Sequence, residues 1–390
     1  MKDTAFLVIL GAALLVRLQL ATTAPYIHDE ENTAIPLSRV ISLSPGHINL
    51  PLRAENHGAL PAYVVKASSA IFGTTQLGYR ALHVAIGLGA IVLVFLLTKE
   101  WYGPVAARWA AALMAFNEYY LAISSRATAH APHLFLVAAA IFSFARFLRV
   151  QRAGYLYAAG GFLGLAFYCK EHSALLLPVF LVTLCQASYR RWLLGPHVYL
   201  AALVFAALIA PDVYWNLTTD RETARIPYRT EEIGYATYQS HLERIGGLGF
   251  SPYPSMFYAR DAVRSLHLRV AGTTLRDETP EYRSMNPAIG LLLVGSVVAI
   301  TVRRHGPDQV RVFLLLMFWG LFVFFSSITR GDPPGRLDPV SWIWVEVTIL
   351  PAVILAGAWL AGATGAWRIV AWTFAGATVI YAVVNLLAPG

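Results

Sequence analysis

Charge is scarce in this sequence. Asp, Glu, Lys and Arg make up 13% of the 390 residues and hydrophobic residues 57%, against roughly 25% charged in an ordinary soluble domain. A water-soluble globular surface is thereby excluded. Cysteine is scarcer still. Only Cys169 and Cys185 occur, both inside apolar stretches where a thiol packs as a small hydrophobe, so neither a disulfide framework nor a CxxC metal site is implied. No basic tract with interleaved aromatic residues is present, which removes nucleic acid as the reason for the net charge of +8. HExxH and comparable ligand patterns are missing, and no repeat of about 20 to 50 residues or low-complexity tract breaks the chain.

What the sequence does have is length without charge. Apolar stretches of about 17 to 25 residues recur, each long enough as a helix to cross about 30 Å of hydrocarbon. They lie near 5–22, 78–98, 104–123, 132–149, 154–169, 173–188, 195–215, 287–303, 310–328, 343–361 and 365–388. The first begins like a signal peptide, with Lys2, an apolar run and the small residues Thr22, Thr23 and Ala24. Arg17 interrupts that run and further spans follow, so it is read as a retained first helix. The stretch Gly58 to Phe72 contains Pro61, Lys66 and two serines and is ambiguous on length alone. If it lies in the interface, the loops holding Lys99 and Arg108, Arg146 to Arg152, Arg190 and Arg191, and Arg303 to Arg311 share one side with Lys2, and the positive-inside rule makes that side the cytoplasm. The expected fold class is therefore all-α: a polytopic membrane helix bundle with about eleven spans and interfacial helices.

The chain reads as one membrane domain over 1–390 with two large extracytoplasmic segments, 23–77 and 216–286. Both exceed ordinary connectors. Residues 31–42 read as a surface helix with Ile35, Leu37, Val40 and Ile41 toward one side.

Polar residues gather on that same outer face. His28, Asp29, Glu30 and Glu31 follow the first span. They serve as a helix start, with acids favoured at the positive end of the dipole, or as a general base, because a carboxylate beside an apolar wall can have its pKa raised toward the working pH. Asn56-His57 precede the interfacial stretch. Ser124, Ser125, Arg126, His130 and His133 occupy the turn between the third and fourth spans, and Lys170, Glu171 and His172 another outer turn. Arg126 and Lys170 suit interfacial anchors that snorkel. They equally suit a clamp on an anionic headgroup such as phosphate. His130 and His133, three apart, share a helix face and raise a metal reading with Asp29 or Glu30. No further ligand set supports it, so no cofactor is expected and a divalent cation stays outside the site.

The order of these pieces resembles the membrane glycosyltransferases of the C-type fold, in particular the aminoarabinose transferase and protein O-mannosyltransferase branch. The likeness runs through most of the chain and is strongest over 1–190. It rests on His28-Asp29-Glu30 after the first span, and on His57 through Phe72-Gly73 with Gly58 where proline is usual. Arg80 heads the second span, followed by the turn Lys99 to Gly103. Ser125-Arg126 fits with His130 where some members carry Asp, and Tyr168-Cys169-Lys170 is followed by Pro178. Toward the C-terminus, Phe324-Phe325-Ser326 and Leu350-Pro351-Ala352 fit the closing pattern, although the loop 330–342 lacks the usual Lys-Tyr.

The resemblance implies transfer of a sugar from a polyprenyl-phosphate carrier to an acceptor on the outer face, with inversion. It places Asp29 as general base with Glu30 beside it, and His57, Arg126, His130 and Lys170 on the donor phosphate. The implied partners are the lipid-linked sugar and the bilayer, with the acceptor unspecified, and the implied location is a bacterial inner or plasma membrane. A transporter is the rival reading. Transporters place charge near the midplane of broken helices and often show internal repeats, whereas polar residues here collect at one face. A noncatalytic scaffold or ligase subunit, in which Asp29 is dispensable, is a second rival.

Overall fold

The computed structural model describes residues 3–27, 29–53, 58–218, 249–250, 295–302, 308–329 and 341–365, with a few positions between 368 and 376. Helix α1 (Thr4–Thr23) starts where Asp3 accepts a hydrogen bond from the Phe6 N–H at 3.2 Å. Its 20 residues span about 30 Å at 1.5 Å per residue. A short π-helical turn (Glu30–Ala34) and α2 (Ile35–Val40) follow, then α3 (Leu60–Phe72). The surface helix expected over 31–42 is thus two shorter pieces. Ile35 and Leu37 are buried as expected, but against α3 and the 127 turn rather than in lipid.

Helix α4 (Gln76–Ala115) folds back on itself at Gly103, whose φ of 88° only glycine adopts without strain, with Pro104 opening the second limb. Side-chain pairings fix the reversal. Phe6 stacks on Phe95 and Asp3 pairs with Arg108 at one end of α1, while Arg80 reaches the Ala24 carbonyl and Arg17 the Ala115 carbonyl toward the other. The expected separate spans 78–98 and 104–123 are these two limbs, with one correction. The second traverse is broken at Phe116 and Asn117, and α5 (Glu118–Ser124) restarts with Asn117 Oδ1 accepting from the Tyr120 N–H at 2.9 Å. Arg17 fills the break. Its guanidinium, fully buried, donates from Nε to Ser124 Oγ at 2.8 Å and from Nη1 to the Ala13 and Ala115 carbonyls, and lies 5.2 Å from the Tyr120 ring centroid.

Then come α6 (His130–Val150), α7 (Ala153–Phe167), a 3-10 turn (Glu171–Leu175), α8 (Leu176–Leu184), α9 (Arg190–Leu193) and α10 (Pro196–Thr218). The expected span 173–188 is shorter than read, because its first residues form the 3-10 turn and the helix closes before Cys185. Helices α11 (Asp308–Ser327) and α12 (Ser341–Gly362) complete the described core. Two-residue strands β1 (Gly249–Phe250) and β2 (Ile328–Thr329) pair antiparallel. The expected spans 287–303 and 365–388 and the loop 216–286 lie mostly outside the described residues.

Small residues let backbones approach. A Cβ on Gly357 would come within 2.5 Å of the Ala106 carbonyl and one on Gly160 within 2.5 Å of the Ala201 carbonyl, the close packing that drives helix association where solvent is as apolar as the helix. Phe144 stacks on Phe180 at 4.2 Å, with Phe313 at 5.1 Å from Phe144. Outward-facing Leu7, Val8, Leu15, Leu200, Leu203 and Leu217 stay exposed, which costs nothing against hydrocarbon. Thr4–Thr23, Gln76–Ala115, His130–Val150 and Pro196–Thr218 are each long and apolar enough to cross a membrane, and the chain is an integral membrane protein.

Candidate functional site

The two ends of the bundle differ in what they do with charge. At one end lie Asp3, Glu100, Arg108, Arg146 and Arg149, paired on the rim. At the other, the ends of α1, α4, α6, α7 and α10 meet the first loop, and Glu30, Arg53, Arg80, Arg126, Lys170 and Asp212 are buried.

Glu30 and Arg80 form the centre of that end. Both side chains are fully buried. Arg80 donates from Nε to Glu30 Oε1 at 2.7 Å and from Nη2 to Oε2 at 2.6 Å, and its remaining donors take the Ala21, Ala24 and Pro25 carbonyls. The Tyr26 ring covers the guanidinium at 4.9 Å. Glu30 Oε1 also accepts from the Ala127 N–H at 2.7 Å, and Oε2 from the Ile27 N–H at 3.3 Å. One carboxylate thus binds the start of the first loop, the head of α4 and the turn before α6. Glu30, expected with Asp29 as a catalytic acid, has both oxygens engaged in this way, so its geometry is that of a structural tie.

Asp29 is different. It is half-buried, sits at the N-cap of the π-helical turn and makes no capping hydrogen bond from its side chain. Glu30 fixes its backbone beside the 125–127 turn, where Arg126 is buried. Lys170 Nζ lies 2.8 Å from His130 Nδ1, both side chains nearly buried. Where some members of the resembling family carry an Asp, this chain presents a histidine ring in contact with the lysine. His133 packs edge-on against His172, ring centroids 4.8 Å apart. The two histidines on one face of α6 both meet the 170–172 turn. Among the described residues, no group of three or more His, Cys, Asp or Glu is placed to hold a metal ion.

His57 and His28 lie outside the described residues, but the chain on either side of 54–57 is pinned. Arg53 and Gly58 form an antiparallel bridge, and Gly58 rests on the Tyr168 carbonyl so closely that a Cβ would come within 2.2 Å of that oxygen. Proline, usual there in the resembling family, cannot occupy this seat. Leu60 N–H donates to the same carbonyl at 3.4 Å.

Arg53 is the charged residue that reading by sequence overlooks. Its Nη2 donates to Glu171 Oε1 at 2.6 Å and its Nη1 to both oxygens of Asp212, at 3.1 and 3.0 Å. Burial works against the Arg53 charge, but Glu171 and Asp212 outweigh it and raise the guanidinium pKa. The available signal was Asp212 itself, a carboxylate inside an apolar run, which demands a buried partner.

Comparison with known proteins bears on this arrangement. The model of the dolichyl-phosphate-mannose-protein mannosyltransferase family matches residues 56–215, from the loop before α3 to the end of α10. ArnT from Cupriavidus metallidurans bound to undecaprenyl phosphate superposes with a TM-score of 0.61 at 17% identity, covering 99% of this chain and 71% of that one. The fold is that of the C-type membrane glycosyltransferases. The Archaeoglobus fulgidus oligosaccharyltransferase tethered to an acceptor peptide matches with a TM-score of 0.54 at 15% identity, over 99% of this chain and 55% of its own. Archaeal AglB from the same organism, in complex with an inhibitory peptide and a dolichol-phosphate, gives 0.51 at 16% identity, over 98% and 55%. This chain thus spans little more than half the length of the oligosaccharyltransferase. No curated protein matches it significantly.

Proposed function

We propose that this protein is an inverting glycosyltransferase that moves a sugar from a polyprenyl-phosphate carrier to an acceptor hydroxyl at the extracytoplasmic face. The observation that carries the reading is the buried contact between Lys170 and His130 at the end of the bundle where Glu30 ties Asp29 to the Arg126 turn. The fold shared with ArnT bound to undecaprenyl phosphate supports the donor class. The Arg and Lys loops at the opposite end support the side, because basic loops favour the cytoplasm.

A lipid-linked donor enters sideways from the bilayer, so its phosphate rests at headgroup depth. Arg126 and Lys170, with His130 and His57, hold the phosphate oxygens by charge-assisted hydrogen bonds. The acceptor oxygen attacks the anomeric carbon from the face opposite the phosphate, and its proton passes to the Asp29 carboxylate. The bond from the anomeric carbon to the phosphate oxygen breaks with its electron pair remaining on that oxygen. Polyprenyl phosphate leaves with its new charge stabilised by Arg126 and Lys170, and the sugar is transferred with inverted configuration. Glu30 does not touch the proton; it fixes the backbone of Asp29.

The test is release of undecaprenyl phosphate from a panel of undecaprenyl-phosphate-linked sugars in proteoliposomes, alongside binding of undecaprenyl phosphate itself. Asp29→Asn is expected to lower turnover by about 10²-fold to 10⁴-fold with binding intact. Unchanged turnover removes Asp29 as the base. Lys170→Ala and Arg126→Ala are expected to weaken binding, and unaltered affinity in both removes the phosphate clamp.

A further inference from the structure

We infer that Arg53 is a positioning residue for donor binding: by claiming the Glu171 carboxylate, it keeps that acid from neutralising the adjacent Lys170 ammonium. The inference rests on the donor reading above. Lys170 and Glu171 are consecutive, with Lys170 extended at the N-cap of the 3-10 turn. An unclaimed Glu171 would be the nearest acid along the chain to that ammonium, competing with a phosphate for it and repelling the phosphate's charge.

Three features make Arg53 suited to prevent this. Its guanidinium is fully buried and reaches Glu171 Oε1 at 2.6 Å. Its other terminal nitrogen is held by both oxygens of Asp212, which is itself anchored by Asn216 Nδ2 donating to Oδ2 at 3.2 Å. The backbone at Arg53 is fixed to the same turn, through the bridge to Gly58 and the seat of Gly58 on Tyr168. The guanidinium is a planar fork that serves two carboxylates at once, and a lysine, a single point of charge on a flexible stem, cannot reproduce that geometry.

The experiment measures binding of undecaprenyl phosphate to the purified full-length protein in detergent. Arg53→Lys is expected to weaken binding about tenfold, and the double variant Arg53→Lys with Glu171→Gln to recover most of that loss, because the freed acid is gone. Glu171→Gln alone is expected to bind about threefold tighter by removing a like charge beside the phosphate; it keeps the proposal testable if Arg53→Lys fails to fold. Wild-type affinity in Arg53→Lys, a double variant as weak as the single, or no tightening in Glu171→Gln overturns the role of Arg53. If the unaltered protein does not bind undecaprenyl phosphate, the donor reading fails instead, and this inference with it.

Discussion

The rim of paired charges at one end of the bundle and the buried network at the other use the same residue types for opposite purposes. Arg146 and Arg149 are 36% and 53% exposed where they meet Glu100, while Arg53, Arg80 and Glu30 are wholly enclosed. Exposed pairs of this kind contribute about 0 to 1 kcal/mol. Enclosed charges are costly to desolvate and are retained where close partners and hydrogen bonds offset that cost. The difference teaches that the rim pairs add little to stability, whereas the buried end depends on its partners.

Removing one partner at each end sharpens the contrast. Arg80→Met leaves Glu30 buried without its cation and is expected to cost about 3 to 5 kcal/mol, read as loss of folded protein or a large drop in melting temperature in detergent. A mild effect would mean that the network is not the keystone of its end. Asn117→Ala removes the cap of α5 where the second traverse breaks and is expected to cost about 1 kcal/mol, measured the same way. Glu100→Gln at the rim is expected to cost less than about 1 kcal/mol. A loss there equal to that of Arg80→Met would erase the distinction between the two ends.

Much of the fold was legible because hydrocarbon imposes one rule, an apolar helix of about 20 residues, and α1, α6 and α10 obey it closely. The turn at Gly103 was legible from Lys99 to Gly103. The break at Asn117 was not, since Asn117 is a single polar residue in an apolar run, and the partner that satisfies the opened backbone, Arg17, lies in a different helix. At the candidate site, Asp29, Arg126 and Lys170 were visible because they stand at the ends of apolar stretches. The Lys170–His130 contact was invisible, because the two are 40 residues apart. Arg53 was hidden for a related reason: it lies in a polar loop where an arginine is unremarked, and its partner Asp212 sits at the end of α10.

The most direct test of the account is a density map of the full-length protein with undecaprenyl phosphate bound in a lipid nanodisc. The account predicts the phosphate beside Lys170 and Arg126, within reach of Asp29 across the space for a sugar, with the isoprenoid chain running out into the bilayer from that end. Phosphate density at the rim of Glu100, Arg146 and Arg149, or away from Lys170 at the buried end, would contradict it.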